Sequence, residues 1–396
     1  MPHGRPVIDV VLLPGRDKAA RRRHPWVLSG AVARVQDAAE SPQGAWSRVL
    51  SAEGETLGFG HYCPASQIRV RLLVFGKDPP DDALLVERIG HAVARRAADP
   101  LIGETDAVRL VNGEADGLPG LVVDRYRDVV VAKLGSAGMS VRRALLAGAL
   151  REATSAPSGF ERADPVAARR EGVAAHQGVL WGAPEPRVTV RERGRRYLVD
   201  LVHGQKTGFY LDQRDSRDWV ESLAAGRRVL DLFSYTGGFS VAAARAGAAS
   251  LTVVESSADA LALARENVAA AAQTPHATFF ETDAFRFVRQ DTGCYDLIVI
   301  DPPPLARRAG DVQRAARAHK DVLLFALRRA APGALVFTFS CSHAVDAKLL
   351  RQVAFAATLD AGRPAQVVRE LGAPADHPVS LDHPEGVYLK GLLLRV

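Results

Sequence analysis

The first part of the chain is a series of short apolar or alternating segments, each bounded by Gly, Pro or Asp. Over residues 1–77 these segments are VIDVVLL, WVLSGAVARV, SRVLSA, TLGFGHY and IRVRLLVF. A period of two, with turn residues at the ends, is typical of strands that bury one face. The pattern therefore predicts an all-β domain over residues 1–77.

The next region, residues 78–190, mixes two periods. DDALLVERIGHAVARRAADP and VRRALLAGALREA have the i, i+3, i+4 apolar spacing of helices, whereas RLVNGEADGLPGLVVDRYRDVVVAKL indicates strands joined by Gly/Asp-rich turns. PRVTVRERGRRYLVDL has the pattern of a hairpin and straddles the end of the region. We predict a small central α+β domain. Its polar turn residues, Asn112, Glu114 and Asp116, fit ordinary turn chemistry and form no catalytic constellation.

Residues 191–396 alternate between apolar strands and amphipathic helices. The strands are RVLDLFS, SLTVVES, ATFFETD, YDLIVID and GALVFTFS, and the helices are ALALARENVAAAA, RAARAHKDVLLFALRRA and DAKLLRQVAFAATLDAG. This alternation specifies a parallel sheet covered by helices, a Rossmann-like α/β fold. Ligands of such sheets bind at the carboxyl ends of the strands, where all the polar motifs described below occur.

Length and composition limit the class of protein. A chain of 396 residues is expected to form two or three domains, and 47% apolar with 24% charged residues is normal for a globular protein. No signal peptide and no apolar stretch of membrane-spanning length are evident. The three cysteines, Cys63, Cys294 and Cys341, are far apart, so we expect neither disulfides nor a metal site, and a cytoplasmic location.

The positive charge is concentrated at the start of the chain. Residues 1–77 contain eleven Lys and Arg against six Asp and Glu, which is +5 of the formal net charge of +6. The segment PGRDKAARRRHPWV combines cations that can neutralise phosphates with an aromatic ring that can stack on a base. The predicted RNA-binding residues are Arg16, Lys18, Arg21, Arg22, Arg23 and Trp26. The alternative is a solvated charge run next to a core tryptophan.

A cofactor site is predicted where the first strand of the α/β domain meets its helix. VLDLFSYTGGFSVAAARAG gives a strand, the acid Asp231, a Gly-Gly turn and a helix, but lacks the three glycines that a dinucleotide pyrophosphate requires. Glu255, at the end of the second strand, can accept from both hydroxyls of a ribose, and Asp283, at the end of the third, can meet an adenine amine. These acids suit S-adenosylmethionine, which has no phosphate. The alternative is an ordinary βαβ turn.

Neighbouring residues at the same sheet edge complete the predicted cofactor site. The set from the strand ends is Asp231, Ser234, Tyr235, Gly237, Glu255, Ser256, Asp283, Ala284 and Asp301.

Two further strands end in residues that suggest the chemistry. Asp301 is followed by two prolines, and the next strand ends in FTFSCSH, which contains Cys341. A thiolate added to carbon 6 of a pyrimidine makes carbon 5 nucleophilic enough to accept a methyl group, and Asp301 could stabilise the adduct. The thiol would need a depressed pKa or a neighbour that deprotonates it. The alternative is that Cys341 is a small buried apolar residue.

The chain resembles the bacterial 23S ribosomal RNA large-subunit methyltransferase I family over nearly its whole length. The resemblance is carried by PGRDKAARRRHPWVLSGAV, VNGEADGLPGLVVDRY, HGQKTGFYLDQRDSR, DLFSYTGGFS, DPP, FTFSCS and ADHPVSLDHPEGVYLKG. It implies an N-terminal PUA-type β-barrel, a central linker domain and a class I methyltransferase domain. It also implies formation of 5-methylcytosine in 23S ribosomal RNA, free or in an assembly particle, with Cys341 as the nucleophile.

The resemblance also implies roles for two segments outside the strand ends. HGQKTGFYLDQR would cover the cofactor, with Phe209 in the site and Arg214 near the methionine carboxylate; a loop packed on the sheet is the alternative. Glu385 is a candidate base for a late step or a surface acid. The family usually has an aromatic residue shortly after the prolines, where this chain has Leu305, so the local contacts to the base differ.

Two other functions remain open on the sequence alone. One is a nucleobase N-methyltransferase acting on RNA through Asp301, Pro302 and Pro303, with Cys341 structural. The other is a non-catalytic RNA-binding factor of ribosome assembly. The oligomeric state, including a homodimer, the target nucleotide and the proton-abstracting base are not specified by the sequence.

Overall fold

The computed structural model describes residues 7–36, 42–271, 276–305 and 309–396, of which residue 309 is described by its backbone alone. The chain forms two compact units. The first consists of Met1–Pro186 with Asp376–Gly386, and the second of Arg187–Ala375 with Val387–Val396.

The first unit begins with a β-rich domain. Its elements are β1 (Ile8–Leu12), α1 (Lys18–Arg21), β2 (Trp26–Leu28), β3 (Val32–Val35), β4 (Trp46–Leu50), β5 (Thr56–Tyr62) and β6 (Ile68–Phe75). The described strands form a sheet in the order β2-β6-β5-β4-β1-β3, antiparallel except for the β1–β4 pair. The predicted strand WVLSGAVARV is two strands, because a short 3₁₀ turn at Ser29–Ala31 interrupts it.

An α+β layer follows in the same unit. Its elements are α2 (Ala83–Ala98), β7 (Ala107–Asn112), β8 (Leu121–Tyr126), β9 (Val129–Leu134), α3 (Ala137–Ser140), α4 (Arg143–Thr154), β10 (Ser158–Glu161), α5 (Pro165–Glu171) and β11 (Gly178–Trp181). The strands form a sheet in the order β11-β10-β9-β8-β7, and α2 and α4 bury Leu85, Ile89, Leu146 and Leu150 in the core beside it.

A segment from the end of the chain, Asp376–Gly386, belongs to the first unit. The carboxylate of Asp376 is fully buried and its Oδ2 accepts from the backbone N–H of Arg109 at 2.9 Å. Asn112 Nδ2 donates to the carbonyl of Pro378 at 2.8 Å, and Arg96 donates to the carbonyl of Asp376 at 3.3 Å. These hydrogen bonds join β7 and α2 to residues that follow them by more than 260 positions in the chain. The first unit is therefore discontinuous in sequence.

The second unit begins with a hairpin and continues as an alternating α/β domain. Its elements are β12 (Arg187–Glu192), β13 (Arg195–Asp200), α6 (Arg214–Leu223), β14 (Arg228–Leu232), α7 (Gly238–Arg245), β15 (Ser250–Glu255), α8 (Ala258–Ala269), β16 (His276–Glu281), α9 (Ala284–Gln290), β17 (Tyr295–Ile300), α10 (Val312–Arg329), β18 (Ala330–Ser340), α11 (Ala347–Ala361), β19 (Gln366–Leu371) and β20 (Lys390–Arg395). The last residue of the predicted helix over 260–272 lies outside the described residues.

The main sheet of the second unit has the described order β16-β15-β14-β17-β18-β20-β19. The strands β14 to β18 pair in parallel, and β20 is antiparallel to both neighbours. The cores of β14, β15, β17 and β18 are buried apolar runs, as expected for strands covered by helices on both faces. Since the order reverses at β14, the carboxyl ends of β14 and β17 open onto the topological switch point where ligands bind. The predicted α/β fold class is confirmed by this arrangement.

The compact units differ in two places from the predicted domain boundaries at 77/78 and 190/191. The hairpin β12–β13 lies wholly in the second unit, where the N–H of Leu198 on β13 donates to Asn267 Oδ1 on α8 at 2.7 Å. The segment Asp376–Gly386 lies in the first unit. The three predicted domains remain a proposal about folding units.

In the ranges that the structure describes, no helix combines the length and apolar character needed to cross a membrane. The same ranges contain no group of three or more His, Cys, Asp or Glu side chains arranged to hold a metal ion.

Candidate active site

A cavity opens in the second unit where β14, β15, β17 and β18 end. It has about 870 Å³ of empty space, including the part open to solvent. Seven predicted site residues line it: Phe209, Ser234, Tyr235, Glu255, Ser256, Asp301 and Cys341. Residues from four strand ends and from the segment before α6 therefore converge as the sequence predicted, and this cavity is the candidate active site.

The turn between β14 and α7 has a tight backbone. Phe233, Tyr235 and Gly237 all have positive φ, and a Cβ on Gly237 would lie 3.2 Å from the Cβ of Ala264. A residue other than glycine would therefore strain both the backbone and the packing against α8. The turn presents Ser234 and Tyr235 to the cavity.

Asp231 lies at the base of this turn in a fully buried position. Its Oδ2 accepts from Ser240 Oγ at 2.6 Å, while Oδ1 is buried with no hydrogen-bond partner among the described residues. Burial raises the pKa of Asp231 to about 7, with the nearby Asp301 contributing in the same direction. The hydroxyl of Ser234 is likewise buried without a partner. Unsatisfied acceptors beside a glycine turn fit a cationic ligand with donor groups, such as S-adenosylmethionine.

Glu255, at the end of β15, is held by backbone donors on one side. Its Oε1 accepts from the N–H groups of Ser256 and Ser257 at 2.7 and 2.9 Å, and its Oε2 accepts from the N–H of Tyr235 at 2.9 Å. A carboxylate has about four acceptor positions, so Oε2 can still accept from a ligand hydroxyl in the cavity. Its geometry fits the predicted ribose contact.

Asp301 and Cys341 lie in the same cavity at the ends of β17 and β18. Asp301 Oδ2 accepts from Gln213 Nε2 at 2.9 Å, and burial, followed by the charge of Asp212, raises the pKa of Asp301 to about 7. The Cys341 sulfur lies 3.9 Å from the carbonyl of Pro302. Burial and the charge of Asp301 raise the pKa of Cys341 to about 12. Of the two routes to a thiolate named above, the ligand-free protein therefore does not offer a depressed pKa, and the other is deprotonation by a neighbour.

Arg214 is not among the described residues that line the cavity. It is fully buried, with Nε 3.6 Å from Glu192 Oε2, because it begins α6 on the face that packs against the hairpin. Arg217, one turn later, does line the cavity and donates to the carbonyl of Tyr210 at 2.8 Å. The guanidinium of Arg217 lies 4.7 Å from the ring centre of Phe209. The predicted contact of Arg214 with a methionine carboxylate is thus not supported by its position.

Asp283 and Ala284 also fall outside the cavity lining, as do Asp231 and Gly237. Asp283 is the N-cap of α9, where its Oδ1 accepts from the N–H of Arg286 at 2.8 Å. Ala284 is buried in the core. Their predicted contacts with adenine remain predictions.

The sequence analysis missed a cluster on the far side of the cavity. Lys206 and Asp212 line the cavity and form an ion pair. Tyr388, in the segment that leads into β20, donates its hydroxyl to Asp212 Oδ2 at 2.6 Å. The motifs HGQKTGFYLDQR and HPEGVYLKG contain these residues, but nothing in either motif indicates that they meet.

The predicted RNA-binding residues all lie in the first unit. Arg16, Lys18, Arg22 and Arg23 are exposed, and Arg21 is paired with Asp17 and Glu55.

Trp26 is half-buried and is packed on several sides. The ring centre of His383 lies 4.6 Å from that of Trp26, and the guanidinium carbon of Arg71 lies 5.9 Å from the Trp26 ring centre. Trp26 Nε1 also donates to Glu114 Oε1 at 2.8 Å. Stacking of Trp26 on a base is therefore not supported by its surroundings. Glu385, the candidate late-step base, is 3.1 Å from His24 in the same unit and is not among the described residues that line the cavity.

Comparisons with known proteins agree with this architecture. A family model described as S-adenosylmethionine-dependent methyltransferase matches residues 139–360, and a PUA-like domain model matches residues 10–75. The fold and the cavity thus define an S-adenosylmethionine-dependent methyltransferase with a PUA-like domain. The ribosomal RNA large subunit methyltransferase I of Alteromonas mediterranea is 39% identical over 395 residues, covering 98% of each chain, and that of Shewanella amazonensis is 40% identical, covering 98% of this chain and 99% of its own. The chain belongs to the ribosomal RNA large subunit methyltransferase I family, which confirms the resemblance noted from the motifs.

Solved structures show the same fold at lower identity. A chain described as a SAM-dependent methyltransferase from Streptococcus mutans superposes with a TM-score of 0.82 at 22% identity, covering 98% of this chain and all of that one. A methyltransferase complexed with SAH, SMU.776, gives the same TM-score at 23% identity. The predicted cofactor, S-adenosylmethionine, is confirmed by the family.

Replacing Asp231 by asparagine is expected to change the pH dependence of stability. Because the folded protein binds the Asp231 proton more tightly than the unfolded chain does, this contribution to stability is complete below about pH 4 and is lost as the pH rises through about 7. Asp231→Asn should therefore melt about 2–4 °C higher than the wild type at pH 8, and no higher at pH 4, in thermal unfolding without cofactor. The exposed Asp259→Asn is the matched control. Parallel melting curves for Asp231→Asn and the wild type from pH 4 to 8 would contradict the expectation.

Proposed function

We propose that this protein methylates carbon 5 of a cytosine in the 23S RNA of the large ribosomal subunit, through a transient bond between Cys341 and the base. The observation that carries the proposal is that the Cys341 side chain lines the same cavity as Asp301 and Glu255. The relatives are named as methyltransferases of large-subunit ribosomal RNA, which supports the substrate class.

S-adenosylmethionine supplies an electrophilic methyl group, for which carbon 5 of an unmodified cytosine is too weak a nucleophile. The Cys341 sulfur would add to carbon 6, which moves the electrons of the 5,6 double bond toward carbon 5 and the ring nitrogen. After methylation, a base removes the proton of carbon 5 and the sulfur leaves. One difficult reaction is thus divided into two easier ones.

Asp301 would stabilise the base during this addition. With its pKa raised to about 7, a large fraction of Asp301 is protonated at neutral pH and can donate a hydrogen bond to the ring nitrogen. Gln213 Nε2 donates to Oδ2 of Asp301 and would thereby fix the orientation of the carboxyl group. The residues proposed to hold the cofactor are those of the turn after β14 and Glu255, because Ser234, Tyr235 and Glu255 line the cavity.

The PUA-like domain would supply the contact with RNA. Its exposed cations, among them Arg16, Lys18 and Arg22, can neutralise phosphates without reading sequence. A base inside a helix cannot reach a cavity of this kind, so the target cytosine has to be unpaired or flipped out.

Nucleoside mass spectrometry of ribosomal RNA tests the proposal. Digested RNA from a strain that lacks this gene should contain less 5-methylcytidine than RNA of the parent strain, and complementation with the gene should restore the amount. Restoration of an N-methylated nucleoside would instead assign the chemistry to Asp301 with the prolines. No restored modification, together with no heat on titration with S-adenosylmethionine, would favour a non-catalytic assembly factor.

A further inference from the structure

The missed cluster places a lysine ammonium in the cavity that contains the reactive sulfur. Lys206 Nζ lies 4.4 Å from the ring centre of Tyr210 and 5.3 Å from that of Tyr388, and it is paired with Asp212. Tyr388 donates to the same carboxylate at 2.6 Å. Lys206, Tyr210, Asp212 and Tyr388 together are called the lysine clasp below.

The backbone of the clasp is held in an uncommon conformation. Lys206 has a φ of 53°, in the left-handed region that residues other than glycine rarely adopt. Such a conformation persists only where surrounding contacts determine it. The ammonium itself is held by the carboxylate of Asp212 and lies against the rings of Tyr210 and Tyr388.

Few cations line this cavity in the part of the chain that the structure describes. They are Lys206 and Arg217, against the acids Asp212, Glu255 and Asp301. Arg217 is committed to Glu192, to which Nε donates at 2.8 Å in a fully buried pair. Lys206, whose side chain is 29% exposed, is thus the cation that can respond to a new negative charge in the cavity.

We propose that Lys206 is a further positioning residue of this site: its ammonium, held in the clasp, stabilises the negative charge of the deprotonated Cys341 sulfur. The inference rests on the proposed function in taking Cys341 as the nucleophile, and it assigns to Lys206 a role in preparing that nucleophile.

The charges around the sulfur support this role. Asp301 at the end of β17 and Asp212 before α6 both oppose ionisation of Cys341, and Lys206 is the cation that most favours it. Lys390, on β20, is also near, but its Nζ donates to the carbonyls of Ser342 and Tyr388 at 2.7 Å each. Because the sulfur is only partly exposed, one ammonium changes the stability of the thiolate more than it would at the open surface.

Alkylation of the ligand-free protein by iodoacetamide measures the thiolate directly. Each event forms an S–C bond and breaks a C–I bond; iodide leaves and the thiol proton passes to water. Below the thiol pKa the rate is proportional to the thiolate fraction. The rate at Cys341 is followed by mass spectrometry of its peptide at pH 8, 9 and 10, which separates it from Cys63 and Cys294.

Lys206→Met should slow alkylation of Cys341 about five- to tenfold at each pH, which corresponds to a rise of the thiol pKa by about one unit. Lys206→Arg, which keeps the charge, should stay within about twofold of the wild type. Lys206→Gln is a second neutral variant with the same expectation, so that misfolding of Lys206→Met would not prevent the test. The control is Lys320→Met, which removes a lysine of α10 that pairs with Asp360 of α11. In this variant, Cys341 should be alkylated at the wild-type rate.

Equal alkylation rates in the wild type and the folded neutral variants would overturn the proposal, as would equal slowing by Lys206→Arg. These results are independent of RNA and S-adenosylmethionine. If Cys341→Ala still formed 5-methylcytidine, the proposed function would fail while the alkylation result for Lys206 could still stand, so the two failures are distinguishable.

Discussion

Cys341→Ala should reduce methyl transfer to ribosomal RNA by roughly 10³-fold or more, while S-adenosylmethionine still binds. The reason is that carbon 5 of cytosine becomes nucleophilic only after the sulfur has added to carbon 6. Transfer of a labelled methyl group to RNA measures the rate of methylation, and calorimetry measures the affinity for S-adenosylmethionine. Cys294→Ser, which changes an exposed cysteine, is the matched control and should transfer normally.

RNA that contains 5-fluorocytosine provides a second measurement on the wild-type protein. Because fluorine cannot be removed from carbon 5 as a proton is, the bond between sulfur and carbon 6 cannot be released after methylation. A protein–RNA adduct that resists denaturation should therefore accumulate with the wild type and be absent with Cys341→Ala. Unchanged turnover of Cys341→Ala would eliminate the covalent mechanism.

Glu255→Gln should weaken S-adenosylmethionine binding by about 10- to 10²-fold. A hydrogen bond from a hydroxyl to a charged acceptor contributes about 1.5–3 kcal/mol, and Glu255 Oε2 has room for one from the ribose. The substitution preserves the shape of the side chain, but its NH2 group replaces an oxygen that accepts from a backbone N–H, so a weakened turn contributes to the loss of affinity. Titration calorimetry gives the affinity directly, and the cofactor-induced rise in melting temperature should shrink with it.

The matched control for this variant is Glu281→Gln. Glu281 ends the neighbouring strand β16 in register with Glu255, but it is exposed and is not among the described residues that line the cavity. Equal affinities of the Glu255→Gln variant, the Glu281→Gln variant and the wild type would show that Glu255 is not a cofactor ligand.

Much of the fold could be predicted because local patterns encode it. The strands β5 and β6 end at the residues that the alternating segments TLGFGHY and IRVRLLVF indicate. The alternation of strands and helices predicted the parallel strands of the second unit. It thereby also predicted the sheet edge where Asp301 and Cys341 lie in the same cavity. Since strand ends of a parallel sheet always share one edge, residues far apart in sequence could be placed together.

Other parts could not be predicted because they depend on contacts that leave no local pattern. The antiparallel pairing of β20 and the return of Asp376–Gly386 to the first unit are specified by partners far away in the chain. The basic segment suggested that Trp26 is open to RNA, but His383, which packs on it, follows more than 350 residues later.

The segment HGQKTGFYLDQR shows the same limit at finer scale. Several of its residues line the cavity, but Arg214 and Arg217 differ by one helical turn and only the structure shows which one lines it. Likewise, Lys206, Asp212 and Tyr388 meet only because β20 brings a C-terminal residue to a segment near the middle of the chain.

The path of the polypeptide also restricts how such a protein can be divided. A fragment that ended at Pro186 would lack the carboxylate of Asp376 that the Arg109 amide requires, and the remainder would carry eleven residues, Asp376–Gly386, without their bonding partners. A cut of the chain near residue 186 would therefore leave both pieces without contacts that they make in the intact protein. The gene can exchange either unit with a relative only by a double crossover that keeps the early and late pieces together.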